Sequence, residues 1–294
     1  MIDPKVELLE EKDIFKSIEL AGRTCYKSED KITDGSAKGF VERMMQNKHT
    51  AMLEHGTVYL TIEVPCDSKG NVDKESEEYD YIQLMSNNPY SQVRFLKTPS
   101  YKYTGFITTN YRVLYESPFY EELQKYITSP TIYHNKRISF RIVTNRQVSH
   151  ELVRSRHFSF AQESTRYCDY TRSKFDHAMA FLIPSFLKNM IRPDDKFGYK
   201  IVDARNNEVK TFIEYLHQVT YIYAYFKDHG EMVQNCALVL PNALKTEIVM
   251  TGFLSDWKYF LNLRYFEKTG KVHPDMKVIS TMIYNQLKEK GYIK

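Results

Sequence analysis

Tryptophan occurs once in 294 residues, cysteine four times, and no window approaches the uninterrupted apolar length that a membrane span requires. Cys25, Cys66, Cys168 and Cys236 form no C-x-x-C pair and have no zinc-like spacing. That excludes a zinc ribbon and fits a reduced compartment. The opening MIDPKVELLEEKD is charged throughout and lacks the apolar core of a signal peptide, so a cytoplasmic location is expected. Charge of one sign is also scarce: 41 Lys and Arg against 37 Asp and Glu leave a net +4. That is too mild for a nucleic-acid coat, and neither nucleic acid, membrane nor metal is expected as a partner.

Tyrosine and phenylalanine are plentiful, 23 and 17 residues. Such rings suit cores, subunit interfaces and the faces of flat heterocycles. A biased composition, in which Tyr, Phe, Ile, Lys and Asn rise together, accounts for the same counts. Charged residues at 27% and hydrophobic ones at 42% are ordinary for a folded chain.

Residues 37–48 place Phe40, Val41, Met44 and Met45 on one helical face. GTVYLTIEVP reads as a strand stopping at Pro65, and further strands are expected at 105–114 and 137–144. The polar, acidic run from 66 is expected to open a surface excursion reaching to 136. Asn145 is placed to cap a short helix. Apolar spacing predicts a helix over 207–230 closed by Gly230, and a second over 255–266 with Trp257, Phe260, Leu261 and Arg264 on one stripe. TEIVMTG (246–252) fits a short strand or a turn of buried chain. One α+β domain over 1–294 is the simplest account.

The chemistry concentrates in RQVSHELVRSRHFSFAQESTRY, 146–167. Arg154, Arg156 and Arg166 are interleaved there with Gln162, Ser164 and the rings of Phe158, Phe160 and Tyr167. Guanidinium forks match phosphate oxygens, and Gln and Ser match a uracil edge or a sugar hydroxyl. If Asn145 starts a helix, Glu151 and Arg154 share a face while Arg156 points elsewhere. A solvated basic loop and an RNA-binding strip of arginines and aromatics fit the same residue types.

RSRHFSFAQESTRY (154–167) resembles the Arg-His-Arg-x7-Ser signature of the flavin-dependent thymidylate synthases, completed by Arg166 and Tyr167. AGRTCYKS (21–28), HTAMLEH (49–55) and LVLPNALKTEIVMTG with LNLR (238–264) resemble that family's other blocks in order and spacing. The resemblance implies an α+β fold with a central, mostly antiparallel sheet packed by helices, in a homotetramer with shared active sites. It implies FAD as cofactor, NADPH as reductant, methylenetetrahydrofolate as carbon donor and dUMP as substrate. By position, Cys25, His49, Ala51, Glu54, Arg154, Arg156, His157, Ala161, Gln162 and Tyr259 would lie on the flavin side. Glu151, Arg154, Gln162, Ser164, Arg166 and Arg264 would hold dUMP.

Arg264 ends an apolar stripe, so its cation should face inward and need an anionic or strongly accepting partner. Activation of the uracil ring is one role for it; a salt bridge to a nearby carboxylate such as Glu267 is the other. The flavin route needs no protein nucleophile, and Ser164 has no His–Asp pair to activate it.

The chain departs from the family pattern in several places. Ser155 fills the centre of the Arg-His-Arg triplet, Ala161 replaces an Asn or Ser, and Ala51-Met52 replaces a Ser/Thr-Pro pair. Cys236-Ala237 stands where a phosphate-binding arginine is usual, with Lys245 or Arg166 available to compensate. Phe253, Ser255 and Tyr259 replace polar groups upstream of the Leu-Arg. These changes bear on substrate identity and turnover more than on fold. They leave room for a relative acting on another pyrimidine nucleotide, hydroxymethylating it, or binding without catalysis.

Overall fold

The computed structural model describes residues 1–10, 13–98, 102–172, 175, 178–194, 199–202 and 207–294. Along the chain, β1 (Lys5–Leu9) leads into α1 (Ile14–Tyr26) and α2 (Ser36–Gln46), and a 3-10 segment, Thr50–His55, enters β2 (Thr57–Val64). Next come α3 (Glu77–Ser86), β3 (Gln92–Lys97), β4 (Tyr103–Asn110), α4 (Tyr111–Tyr115) and α5 (Tyr120–Gln124). The signature region is β5 (Arg137–Asn145), α6 (Arg146–Leu152) and β6 (Ser159–Gln162). Two short strands, β7 (Ile191–Arg192) and β8 (Lys200–Ile201), precede α7 (Asn207–Asp228) and α8 (Val233–Cys236). The chain closes with β9 (Lys245–Phe253), α9 (Leu254–Arg264) and α10 (Pro274–Glu289).

A four-stranded antiparallel sheet in the order β1-β5-β9-β6 carries the signature region, and a three-stranded antiparallel sheet has the order β2-β4-β3. In β5 the even residues Ile138, Phe140 and Ile142 join Trp257, Phe260 and Leu261 of α9 and Met276, Ile279 and Ile283 of α10 in one core. The odd residues face α1, where Ala21 meets Ala161 and Val249. Alternation at a period of two thus sends one strand's side chains to two different environments. Asn145 caps α6 as expected, its Oδ1 accepting from the Val148 N–H at 2.8 Å. The expected strand at 105–114 stops at Asn110, whose side chain accepts from the Val113 N–H and so starts α4.

Residues 66–136 are not a surface excursion. The polar start is exposed, but Tyr81, Ile82 and Met85 of α3, Ile107 of β4, Leu114 of α4 and Leu123 of α5 are buried with Val58, Leu60 and Ile62 of β2. The acidic residues Glu77, Glu78 and Asp80 sit in the first turn of α3, where the helix dipole favours them, and leave the apolar face free to pack. Residues 246–252 lie inside the long strand β9, paired on both sides and buried along almost its full length. No described helix is long and apolar enough to cross a membrane.

Gly252 of β9 is constrained by packing: a Cβ there would lie 2.4 Å from the Phe158 ring, which itself sits edge-on to Trp257 at 4.6 Å. Gly252→Ala is expected to destabilise the fold by about 1–3 kcal/mol through overpacking. Urea unfolding followed by the fluorescence of Trp257 measures it, and Phe158→Leu in the same chain should restore part of the loss.

Candidate active site

The α6–β6 connection builds the site. Asn145 fixes where α6 begins, so Glu151 falls in its last turn. The chain then turns through 153–158, exposing Arg154, Arg156 and His157 while Phe158 plugs the core. In β6, Ser159 and Ala161 point toward α1, and Phe160 and Gln162 point toward α6. As the edge strand of its sheet, β6 is where groups from both faces meet.

On the α6 face, Arg264 Nη1 donates to Glu151 Oε2 at 3.1 Å, the two side chains being 25% and 19% exposed. Glu267 is not its partner; that carboxylate lies 3.7 Å from Lys277. Gln162 Nε2 donates to Ser149 Oγ at 3.0 Å and Thr246 Oγ1 at 3.1 Å. On the α1 side, the Ser164 N–H donates to the Cys25 carbonyl at 2.9 Å, and Ser164 Oγ accepts from the Arg166 N–H at 3.3 Å. Tyr26 meets Tyr167 edge-on at 5.4 Å, and its hydroxyl lies 3.4 Å from His49 Nδ1. Contacts therefore run from Arg264 through Glu151, α6, Gln162 and Ser164 to Cys25, Tyr26 and His49.

Other expected side chains take no part in these polar contacts, Arg166 joining them through its backbone N–H alone. Arg154, Arg156 and Arg166 are exposed, and among the described residues none pairs with a carboxylate. The Arg166 guanidinium lies over its neighbour Tyr167 at 5.7 Å. Ala51 is exposed, and Glu54 is committed to Arg112 Nη1 at 2.8 Å. Tyr259 is 61% exposed on the outer face of α9, and the Ala161 side chain is sealed beneath Ala21.

Sequence reasoning missed an ionic bundle beside Ser164. Glu247 Oε1 accepts from Lys27 Nζ at 2.6 Å and pairs with Lys245, while its Oε2 takes Arg141 Nε at 3.0 Å. Glu163, whose side chain is fully buried, accepts from Lys245 Nζ at 2.7 Å and from the Tyr170 hydroxyl at 3.2 Å. Glu29 joins Lys27 and Arg141 at 3.3 and 3.0 Å. Lys245 is thereby held by two carboxylates and does not replace a lost phosphate arginine. The bundle links residues up to 220 positions apart, so no local spacing announces it.

Burial pushes the Glu247 carboxyl up, but Lys245 and Lys27 beside it push it down by more, to about 2 from an ordinary 4.5. Burial and the neighbouring Glu163 push the Cys25 thiol up to about 11, so it is protonated at neutral pH. His55 is buried, with Nδ1 2.8 Å from Thr251 Oγ1, and burial followed by the nearby Arg137 brings it down to about 3, so it is neutral.

A cavity of about 900 Å³ lies elsewhere, between β1, β5, α1 and β2; Lys16, His55, Tyr59, His134 and Arg137 are among its lining. None of Glu151, Arg154, Gln162, Ser164 or Arg264 reaches it, so volume and the chain of contacts point to different places. The contacts gather guanidinium, carboxylate, amide and hydroxyl groups, and they define the candidate site.

The folded Glu247 value is below the unfolded one. Its contribution to stability is therefore present above pH 4.5 and lost as pH falls toward about 2. Glu247→Gln is expected to lower stability at pH 7 by roughly 3 kcal/mol or more, because it leaves buried cations uncompensated. It should also flatten the loss between pH 4.5 and 2. Urea titrations at pH 7, 5 and 3 check both, and an unchanged acid slope in the variant would contradict the assignment.

A model of the family described as thymidylate synthase complementing protein matches residues 7–67 and 111–290. A flavin-dependent thymidylate synthase of Mycobacterium avium is 29% identical over 156 residues, 50% of this chain and 55% of that protein. Its counterpart in Mycobacterium marinum is 30% identical over 141 residues, 46% of this chain and 49% of that protein. The match thus spans about half the length of these curated relatives. Among solved structures, a UMP/dUMP methylase from Streptomyces cacaoi bound with 5-Br dUMP aligns with a TM-score of 0.45 and 15% identity, covering 98% of this chain and 90% of that one.

Proposed function

The chain belongs to the thymidylate synthase complementing protein family, and from that premise we propose that it methylates dUMP to dTMP by a flavin-dependent route. In this reading methylenetetrahydrofolate donates the carbon, NADPH reduces FAD, and a homotetramer shares its sites between subunits. The observation that carries it is the Arg264–Glu151 pair, with Glu151 on α6, the helix to which Gln162 of β6 is hydrogen-bonded through Ser149.

The donor set fits a phosphate-bearing flavin. Arg154 and Arg156 are exposed and pair with no described carboxylate, so their guanidinium forks are open to phosphate oxygens. His157 beside them and His49 beside Tyr26 add ring nitrogens. FAD, when bound, supplies the hydride and the route for carbon transfer.

The protein's part is to bind and polarise the pyrimidine. Arg264 has five N–H donors, and the Glu151 contact uses Nη1. The remaining donors serve a uracil carbonyl oxygen that gains negative charge, and Glu151 fixes the guanidinium's direction. Because Gln162 Nε2 is committed to Ser149 and Thr246, its Oε1 is the atom turned to the base, accepting from the imide N–H. Ser164 Oγ accepts from the Arg166 N–H and keeps its own proton to donate. Neither it nor Cys25 is set up as a nucleophile. The carboxylate next to Ser164, Glu163, is held by Lys245 and Tyr170, and the Cys25 thiol stays protonated.

Purified protein should be yellow, and NADPH with dUMP should bleach it. With methylenetetrahydrofolate added, mass spectrometry should find dTMP. Arg264→Ala is expected to lower turnover by roughly 10²–10³-fold with the secondary structure and oligomeric state unchanged. Wild-type turnover in that variant would remove Arg264 from the mechanism. A yellow protein inert to dUMP would redirect the search to another pyrimidine nucleotide.

A further inference from the structure

A second cavity, about 440 Å³, opens beside the last turns of α1 and α2. Among the described residues, five basic side chains line it, Arg23, Lys27, Lys31, Arg43 and Arg172, with one carboxylate, Asp30. In a chain with nearly balanced charge, that is a strong local asymmetry. Helix dipoles account for cations at two of these positions, since Arg23 and Arg43 occupy the last turns of their helices. They do not account for Arg172, which arrives from another segment, and add little at Lys31, which ends a 3-10 segment of only three residues, Glu29–Lys31.

The cations differ in how much charge they have left to offer. Arg23 is buried and spent on Glu19 at 3.1 and 3.2 Å, with its guanidinium 4.8 Å above the Phe40 ring. Lys27 belongs to the Glu247 bundle. Lys31 and Arg43 are exposed and pair with no carboxylate among the described residues. Arg172 lies 3.4 Å from Asp169 and is otherwise open to solvent. Phe40 forms the floor, seated against Gly22, where a Cβ would come within 2.4 Å of its ring. Tyr26 supplies an aromatic wall.

We propose that this cavity binds a nucleoside diphosphate, with Lys31, Arg43 and Arg172 on the phosphates and the Tyr26 ring against the base. The exposed Lys31 ammonium and Arg43 guanidinium, with Arg172 shared with Asp169, match a diphosphate's charge. The volume lies within the roughly 300–1,000 Å³ typical of organic-ligand sites, well above what a lone ion needs. The site is distinct from the one proposed for dUMP, because Lys31, Arg43 and Arg172 take no part in that reading. The two adjoin through the contact of Tyr26 with Tyr167.

The test is isothermal titration of the full chain with ADP, adenosine and dUMP. ADP should bind and adenosine should not. In the Lys31→Ala/Arg43→Ala double variant, ADP affinity should fall by roughly tenfold or more, about 1.4 kcal/mol, while dUMP affinity stays as in the wild type. Both side chains are exposed, so the variant should keep its circular dichroism and melting temperature. ADP that fails to bind, or that binds the double variant as well as the wild type, overturns the proposal. ADP binding without any dUMP binding would uphold this site and sink the catalytic reading instead.

Discussion

The buried carboxylate of Glu247 is the constraint on which the site's geometry rests. Three acidic groups, Glu29, Glu163 and Glu247, meet three basic ones, Lys27, Arg141 and Lys245, in a region largely closed to water. Charges buried in this way persist only when their partners are fixed and their lone pairs filled. The bundle ties the end of α1 to β5 and β9 and, through Lys245, to Glu163, the residue that follows β6. Cys25 and Ser164 are neighbours because their chain neighbours are held by the same cluster.

The edge strand β6 divides the work between two faces. Gln162 looks toward α6 and the Arg264–Glu151 pair, while Glu163 turns into the ionic bundle. Consecutive residues therefore reach different surroundings, as alternation along an extended chain requires. The connection before it, 153–158, carries the arginines outward without a described ion pair. The buried Phe158 fixes that connection from below, which is why the close approach of Gly252 to its ring matters to residues that never touch it.

Several of these features were legible in the sequence. The Asn145 cap, the alternation of β2 and the apolar stripe of α9 each follow from local spacing and appear where expected. β9 was ambiguous because a strand covered on both faces loses the polar–apolar alternation that identifies strands. The strand within 105–114 was read, but the helices at 77–86 and 111–124 were missed because the polar stretch before them set the surface reading; the family model likewise matches nothing between 67 and 111. At the site, Gln162, Ser164 and Arg264 were visible as chemistry. Lys27, Arg141, Glu163, Lys245 and Glu247 were not, since complementary charges brought together by folding leave no motif. Arg264 was expected to face inward, and its carboxylate partner came from α6 rather than from its own chain end.

Lys27 ends α1 with φ at 48°, in the left-handed region that glycine enters at least cost. A side chain there costs the backbone something, yet this one carries the ammonium that Glu247 accepts. Local conformational preference and long-range charge compensation thus make opposite demands at a single position. A relative with glycine at this residue would have a more relaxed helix end and would leave Glu247 to Lys245 and Arg141 alone.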